Sequence, residues 1–328
     1  MLEEGLFSGG KEVADLESTI KAKLESNYAI GVANGTDAIE IALRALQIGP
    51  GDEVIVPAMT WVSTAEAVVM VGAKPVFWDT DPEGLLASDW DRVISPKTKA
   101  VIPVHLYGKM VDMGLLVEQA KNHQLFVIED AAQAFGSVQN GRAAGTWGEI
   151  GCLSFYPIKN LGALGEAGMC LTQDSNLEKR IRLLINHGQP RRDEHLLVGR
   201  NSRIDTLQAG FLNVMLDRFG DFQVIRKRQA KRYLDNLMEI KGIILPEGVL
   251  EVDHNAHLFV IQTERQEELR IFLRSKGIGT VIHYPKILPE MGIFESIGEF
   301  PKAKKNSCKR AFSPLESISL RVGTRIYK

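Results

Sequence analysis

The sequence is poor in cysteine, with three in 328 residues: Cys152, Cys170 and Cys308. The number is odd, and no CxxC or Cys/His spacing suits a metal, so neither a disulfide framework nor a metal site is expected. Cys152 and Cys170 fall in apolar, strand-like runs and read as core residues. Thiol use this sparing fits a reducing cytoplasm. An excess of one charge is also lacking. With 39 basic and 41 acidic residues the formal net charge is -2, which gives no field to attract nucleic acid or an anionic membrane. The most apolar region, residues 65–78, is broken by Gly72, Lys74 and Pro75, so no stretch reads as a membrane span. No basic-then-apolar leader opens the chain, and no internal repeat or low-complexity linker interrupts it.

What is present is an ordinary globular composition, 45% hydrophobic and 24% charged, in a chain long enough for a large α/β domain with a smaller one attached. Val13, Leu16, Ile20 and Leu24 recur at helical spacing within residues 1–27. Short apolar runs at 29–33, 53–57, 75–79, 100–105, 125–130, 152–156 and 168–172 then alternate with amphipathic stretches. That rhythm predicts a mostly parallel central sheet flanked by helices, with ligands beyond the carboxyl ends of its strands. Two long helices are expected from Thr206 to about Leu237. The domain change is placed near Phe219, giving a large domain of 1–219 and a small one of 220–328. The small domain reads as a strand at 256–263, a helix at 266–276 and a strand at 280–283.

Three places concentrate polar residues where chemistry needs them. Gly35-Thr36-Asp37 ends the first strand and opens a helix, leaving backbone N–H groups pointing one way. This can cradle a phosphate, or be an ordinary cap satisfied by Thr36 or Asp37. Asp130 ends the apolar run LFVIED. A carboxylate there is partly buried and calls for a cationic partner, unless it only caps the following helix. Glu129 should face the other way, since strand residues alternate. In GCLSFYPIKNLGALGEAG, residues 151–168, the apolar run stops at Pro157 and Lys159 follows among glycines. An ordinary lysine with a pKa of about 10.4 is a poor nucleophile at neutral pH. Desolvation lowers that value, and the neutral amine can form a Schiff base. Taken singly, Lys159 would read as a solvated loop lysine and Trp61 as a core residue.

Together, SFYPIKNLGALGEAG, VIPVHLYG and GRNSRIDTLQA resemble, in order and spacing, the motifs of the DegT/DnrJ/EryC1/StrS sugar aminotransferases, over residues 7–285. The resemblance implies a fold-type-I pyridoxal 5'-phosphate transferase with a smaller C-terminal α/β domain. It implies that Lys159 holds the cofactor and that Asp130 pairs with the pyridine nitrogen. Gln133 lies near the ring hydroxyl, and Trp61 stacks on the ring. Gly35, Thr36, Asp37 and Ser154 hold the phosphate. Asn201 reaches the phosphate of a neighbouring subunit, so a homodimer with shared sites is implied. His283 and Tyr284 of VIHYP lie close to the substrate. The implied reaction moves an amino group from L-glutamate to a nucleotide-linked keto sugar. SFYPIKNLGA and VIHYP favour a dTDP-linked 3-keto-6-deoxyhexose, while NHGQPRR also resembles enzymes of UDP-linked 3-keto uronic acids. Arg191 and Arg192 could meet an anionic nucleotide or be merely solvated. Two other readings share the scaffold. A sugar dehydratase carries histidine in place of Lys159, and a non-catalytic regulatory protein would bind cofactor without turnover. The chain departs from the family pattern in its short N-terminal lead, in Gly165-Glu166 where Gly-Asp is usual, and in the tail AFSPLESISLRVGTRIYK.

Overall fold

The computed structural model describes residue 5 and residues 7–294 and 298–311. The expected start of the first helix before residue 5 and most of the unusual C-terminal tail lie outside the described residues. In chain order the elements are α1 (Lys11–Leu24), β1 (Tyr28–Val32), α2 (Gly35–Ala45), β2 (Glu53–Pro57), α3 (Ser63–Met70), β3 (Lys74–Trp78) and β4 (Thr98–Val101). There follow α4 (Met113–Asn122), β5 (Phe126–Asp130), β6 (Val138–Gln139), β7 (Arg142–Ala143), β8 (Ile150–Ser154), β9 (Gly168–Thr172) and α5 (Ser175–Leu184). The chain continues with α6 (Thr206–Asp217), α7 (Phe219–Leu237), β10 (Ile261–Gln262), α8 (Gln266–Ser275), α9 (Pro301–Lys309) and β11 (Arg310–Ala311).

Seven strands form one sheet in the order β1-β9-β8-β5-β4-β2-β3. All its pairings are parallel except those of β9, which runs against both β1 and β8. Strands β2, β5, β8 and β9 are buried on both faces along most of their length. Helices must therefore cover both sides, as their unbroken apolar runs require. Helix α2 is buried almost all round, and such a helix belongs inside the molecule rather than on its surface. It packs on β8 and β9 on one side and on α3 and α5 on others. Helix α1 buries Leu16, Ile20 and Leu24, a four-residue spacing that makes one stripe. Cys152 and Cys170 are partners across β8 and β9, and both are buried.

The segment expected as a strand at 256–263 is different. Only Ile261 and Gln262 pair, with β11. The backbone before them is spent on the loop at 107–110: Asn255 N–H donates to Gly108 C=O, Leu258 N–H to Tyr107 C=O, and Asp253 C=O accepts from Met110 N–H. The apolar side chains of HLFV pack inward from this irregular path, with Phe259 joining Ala230, Val249 and Ala256 in a small second core. Residues 280–283 form no strand either. This stretch runs in to Tyr107, whose Oη donates to His283 C=O.

Candidate active site

The carboxyl ends of the parallel strands converge on one edge of the sheet, and the chemically distinctive residues lie there. After β1, Asn34 caps α2 by accepting the Asp37 N–H at 2.8 Å. The Gly35 and Thr36 N–H groups belong to the helix's first turn, where no intrahelical acceptor exists, and a helix N-terminus favours an anion. Side-chain hydroxyls surround them. Thr36 Oγ1 donates to Ser63 Oγ at 2.8 Å, and Ser154 at the end of β8 lies directly against Gly35. A Cβ at Gly35 would come within 2.7 Å of Ser154 Cβ, and one at Gly168 within 2.4 Å of Asn34 C=O. Glycine at both positions lets the helix start touch the strand ends. The result is a small polar cradle of two N–H groups with no intrahelical acceptor and three hydroxyls.

Asp37 departs from the expected phosphate contact. Its N–H is taken by Asn34. Its carboxylate is buried, paired with Arg200 at 3.1 Å and hydrogen-bonded by Ser202 Oγ. A carboxylate next to a phosphate would repel it, and Asp37 instead fastens the 200–203 segment to α2. In an extended segment whose residues 200 and 202 turn to α2, residue 201 points away. Asn201 is exposed, with Oδ1 accepting from Arg203 Nε at 3.1 Å.

Asp130 ends β5 and is 6% exposed. Thr64 Oγ1, in the first turn of α3, donates to its Oδ2 at 2.8 Å, and Ala132 N–H to its Oδ1 at 3.2 Å. Both bonds orient the carboxylate, which can receive a cationic partner. Its neighbour Glu129 faces the opposite side, as strand alternation predicts. Glu129 accepts from the N–H groups of Gly145 (2.8 Å), Trp147 and Gly148 (2.9 Å). His105 Nδ1 accepts from Val111 N–H, so its Nε2 carries the proton and donates to Glu129 at 3.0 Å. This fully buried network holds the hairpin β6–β7 and the following turn against the end of β5.

Gln133 is buried one turn beyond Asp130. It accepts from Tyr107 N–H at 2.6 Å and donates to Tyr284 Oη at 3.1 Å. Tyr107 holds a left-handed backbone, φ 61, strained for an aromatic residue. Gln133, Leu258 and His283 fix it through its N–H, C=O and Oη. Burial drives the Tyr284 phenol upward, out of the ionising range of a neutral cell. Burial, then the Lys159 cation, lowers His283 to about 4, so this imidazole is neutral at physiological pH. Trp61 lies on the loop before α3, 57% exposed, its ring 5.7 Å from that of Tyr284 and tilted 41°. A tryptophan this open at the rim of a buried polar site offers a face to a flat ligand.

Lys159 sits in the loop between β8 and β9, whose two stems are joined by the pairing of Ser154 with Gly168. Its amine has no hydrogen-bond partner among the described residues. Burial lowers its pKa to about 8, while the Asp130 carboxylate pulls the other way. At pH 7 about a tenth of such an amine is neutral, against a few parts in ten thousand for an ordinary lysine. The donor set fits pyridoxal phosphate: an anion cradle, a buried carboxylate for a ring nitrogen, an open aromatic face and an activated amine.

A profile of the DegT/DnrJ/EryC1/StrS aminotransferase family matches residues 1–321. The chain belongs to that family. It is a pyridoxal phosphate-dependent aminotransferase of the α/β transferase fold. It is 42% identical over 287 residues to the UDP-N-acetyl-3-dehydro-alpha-D-glucosamine 3-aminotransferase of Acidithiobacillus ferrooxidans, covering 87% of this chain and 78% of that protein. It is 41% identical to the dTDP-3-amino-3,4,6-trideoxy-alpha-D-glucose transaminase of Streptomyces venezuelae, covering 87% and 76%. The crystal structure of S. venezuelae DesV in complex with a ketimine intermediate superposes with a TM-score of 0.92 at 38% identity, over 95% of this chain and 86% of that one. No helix among the described residues is long and apolar enough to cross a membrane.

Three residues that hold side chains of the candidate site in place, Thr64, Tyr107 and Asn34, escape a reading of the sequence. The signal for Thr64 is present: like Thr60 and Ser63 it is a polar residue in a largely apolar stretch, and all three are buried.

Proposed function

We propose that this enzyme transfers the amino group of L-glutamate to a keto carbon of a nucleotide-linked sugar, with a dTDP-linked 3-keto-6-deoxyhexose as the preferred acceptor. The observation that carries the reading is the unpartnered, desolvated Lys159 amine within the field of Asp130, at the edge where the phosphate cradle lies. Bound pyridoxal phosphate supplies an aldehyde that exchanges amines and a ring that takes up negative charge. Gly35, Thr36, Ser63 and Ser154 would hold its phosphate, and Asp130 its ring nitrogen in protonated form. Thr64 keeps that carboxylate aimed. Trp61 would cover one face of the ring. Lys159 Nζ would take the proton from the donor's α-carbon and hand it on within the first half of the reaction, and in the second half would deliver a proton to the acceptor's keto carbon. Neutral His283 and Tyr284, tied through Tyr107 and Gln133, form a wall of the cleft that can hydrogen-bond a sugar without adding charge. The two half-reactions share one site and predict ping-pong kinetics.

A UDP-linked 3-keto sugar is the second reading, favoured by the name of the relative at 42% identity. The outward turn of Asn201 supports a homodimer in which this residue serves the neighbouring subunit's phosphate. Mixed dimers test this. A Lys159→Ala subunit combined with an Asn201→Asp subunit should regain one working site, and failure to regain activity would count against sharing. The function is tested by the absorbance of the cofactor-loaded enzyme. L-glutamate should convert the lysine-bound band to that of the pyridoxamine form, and a dTDP- or UDP-linked 3-keto sugar should restore it. A band that no keto sugar restores removes the sugar assignment. A band that glutamate leaves unchanged removes the donor.

A further inference from the structure

A second cavity lies apart from the cofactor residues. Its volume is about 130 Å³, and the segments 82–85, 106–109, 244–247 and 254–262 enclose it. None of the residues assigned to the cofactor lines it, although Tyr107 forms part of its wall. Leu85, Leu106, Leu258 and Val260 give it an apolar lining, and all four are buried. The segments are tied to one another around it. Ile244 and Gln262 exchange backbone bonds of 2.8 and 2.9 Å, and Gln262 Nε2 donates to Pro82 C=O at 3.1 Å. One polar side chain interrupts the apolar lining. His254 is 3% exposed and borders the cavity. Its Nδ1 accepts from Ala256 N–H at 3.1 Å, so the neutral ring carries its proton on Nε2. That N–H has no hydrogen-bond partner among the described residues, and the nitrogen is open rather than sealed. Burial, then the Lys227 and Lys109 cations, lowers the imidazole to about 3, so it is neutral at physiological pH. Both cations are already occupied. Lys109 pairs with Glu83 at the rim, and the Lys227 amine is spent on the C=O groups of Val249, Glu251 and His254. An anion would have to displace Glu83 from Lys109, and a cation would meet an N–H donor. The cavity therefore favours an uncharged occupant. An apolar cavity of about 150 Å³ takes up benzene, so the volume suits a single ring, and the buried donor calls for an acceptor on it.

We propose that this cavity is a second binding site, which takes a small uncharged ring compound carrying one hydroxyl or carbonyl oxygen. The ring lies against Leu85, Leu106, Leu258 and Val260, and the oxygen accepts from His254 Nε2–H. The site backs on Tyr107, whose N–H and Oη reach Gln133 and His283, so an occupant touches the far side of a residue that shapes the cleft. It does not depend on the amino donor or the sugar.

Phenol is the probe, titrated against the cofactor-loaded enzyme by saturation-transfer NMR. A ligand of this size should bind with a dissociation constant of about 1 mM. Toluene has the same shape with a methyl group in place of the hydroxyl. His254→Leu should shift the phenol-to-toluene preference about 2- to 12-fold toward toluene, the worth of one neutral hydrogen bond. Val260→Phe fills the cavity and should weaken both ligands at least about tenfold. Trp61→Ala, at the other open aromatic position, should alter neither. Absence of saturable phenol binding up to about 20 mM overturns the proposal, as does an unshifted preference in His254→Leu. Binding lost in Trp61→Ala and kept in Val260→Phe would put the ring in the cofactor cleft, and overturns it equally. Should Val260→Phe fail to fold by circular dichroism, Leu85→Phe narrows the cavity from another segment and is read in the same way. The titration needs neither glutamate nor sugar, so failure of the substrate assignment would leave it readable.

Discussion

Replacing Gly35 with alanine tests the cradle at its tightest point. The new Cβ would sit 2.7 Å from Ser154 Cβ and 3.1 Å from its hydroxyl, about 1 Å inside normal carbon contact. Ser154 is anchored in β8 by its pairing with Gly168, and a Cβ at Gly168 would itself strike Asn34. Neither side of the contact can yield freely, so the start of α2 must withdraw from the strand ends. Withdrawal removes at least one N–H or hydroxyl contact to the phosphate. A hydrogen bond to a charged group is worth about 1.5–3 kcal/mol, which translates into cofactor binding weaker by about 10- to 150-fold. The assay is titration of cofactor-free protein with pyridoxal phosphate, followed by absorbance, with circular dichroism to show that the fold is retained. Gly220→Ala is the matched control. Gly220 lies in α7 with open space around its would-be Cβ, so alanine should stabilise the protein by about 0.5–1 kcal/mol and leave cofactor affinity unchanged. A Gly35→Ala protein that is folded and binds cofactor within twofold of the unaltered chain would refute the cradle.

Three further outcomes follow from the same geometry. Only the neutral Lys159 amine attacks the aldehyde, so capture of pyridoxal phosphate by cofactor-free protein should quicken as pH rises through about 8 and level off above it. A rate still climbing toward the ordinary lysine range would contradict the desolvated amine. Thr64→Val keeps shape but strips one hydrogen bond from the buried Asp130 carboxylate, and should cost the cofactor-free protein about 1.5–3 kcal/mol in urea unfolding. A loss below about 0.5 kcal/mol would show that water replaces the hydroxyl. Trp61→Ala removes a side chain that is already 57% exposed, so stability should change by no more than about 0.5 kcal/mol. Cofactor affinity should still fall by about 2- to 12-fold, the worth of one aromatic contact, and lost stability with unaltered affinity would return this residue to the core.

Much of the sheet was legible because its strands are short, mostly apolar and punctuated by glycine, proline or a polar residue near their ends. Asp130 and Lys159 stood out for the same reason: each ends or follows a buried run, where an ionisable group needs a partner. The contacts that hold them in place were not legible. Thr64 meets Asp130 across 66 positions of sequence. No local period encodes such pairings. For Asp37 the sequence leaves a helix cap and a phosphate cradle open, because the two share one signature. In the structure Asn34 supplies the cap, and the Asp37 carboxylate pairs with Arg200. The strands expected at 256–263 and 280–283 failed where apolar alternation served packing against loops rather than a ladder.

The reversed strand β9 also sets a schedule for synthesis. β1 lies at one edge of the sheet, and the strand beside it there is β9, with Tyr28 opposite Thr172. A chain emerging from the ribosome at about 5–20 residues per second leaves β1 and the start of α2 without that neighbour for roughly ten to thirty seconds. Over that interval Ile30 and Val32 stand on an open strand edge, a template for pairing with other chains. Anything that slows translation between residues 32 and 172 should therefore lower the yield of native enzyme without altering a single contact in the finished fold.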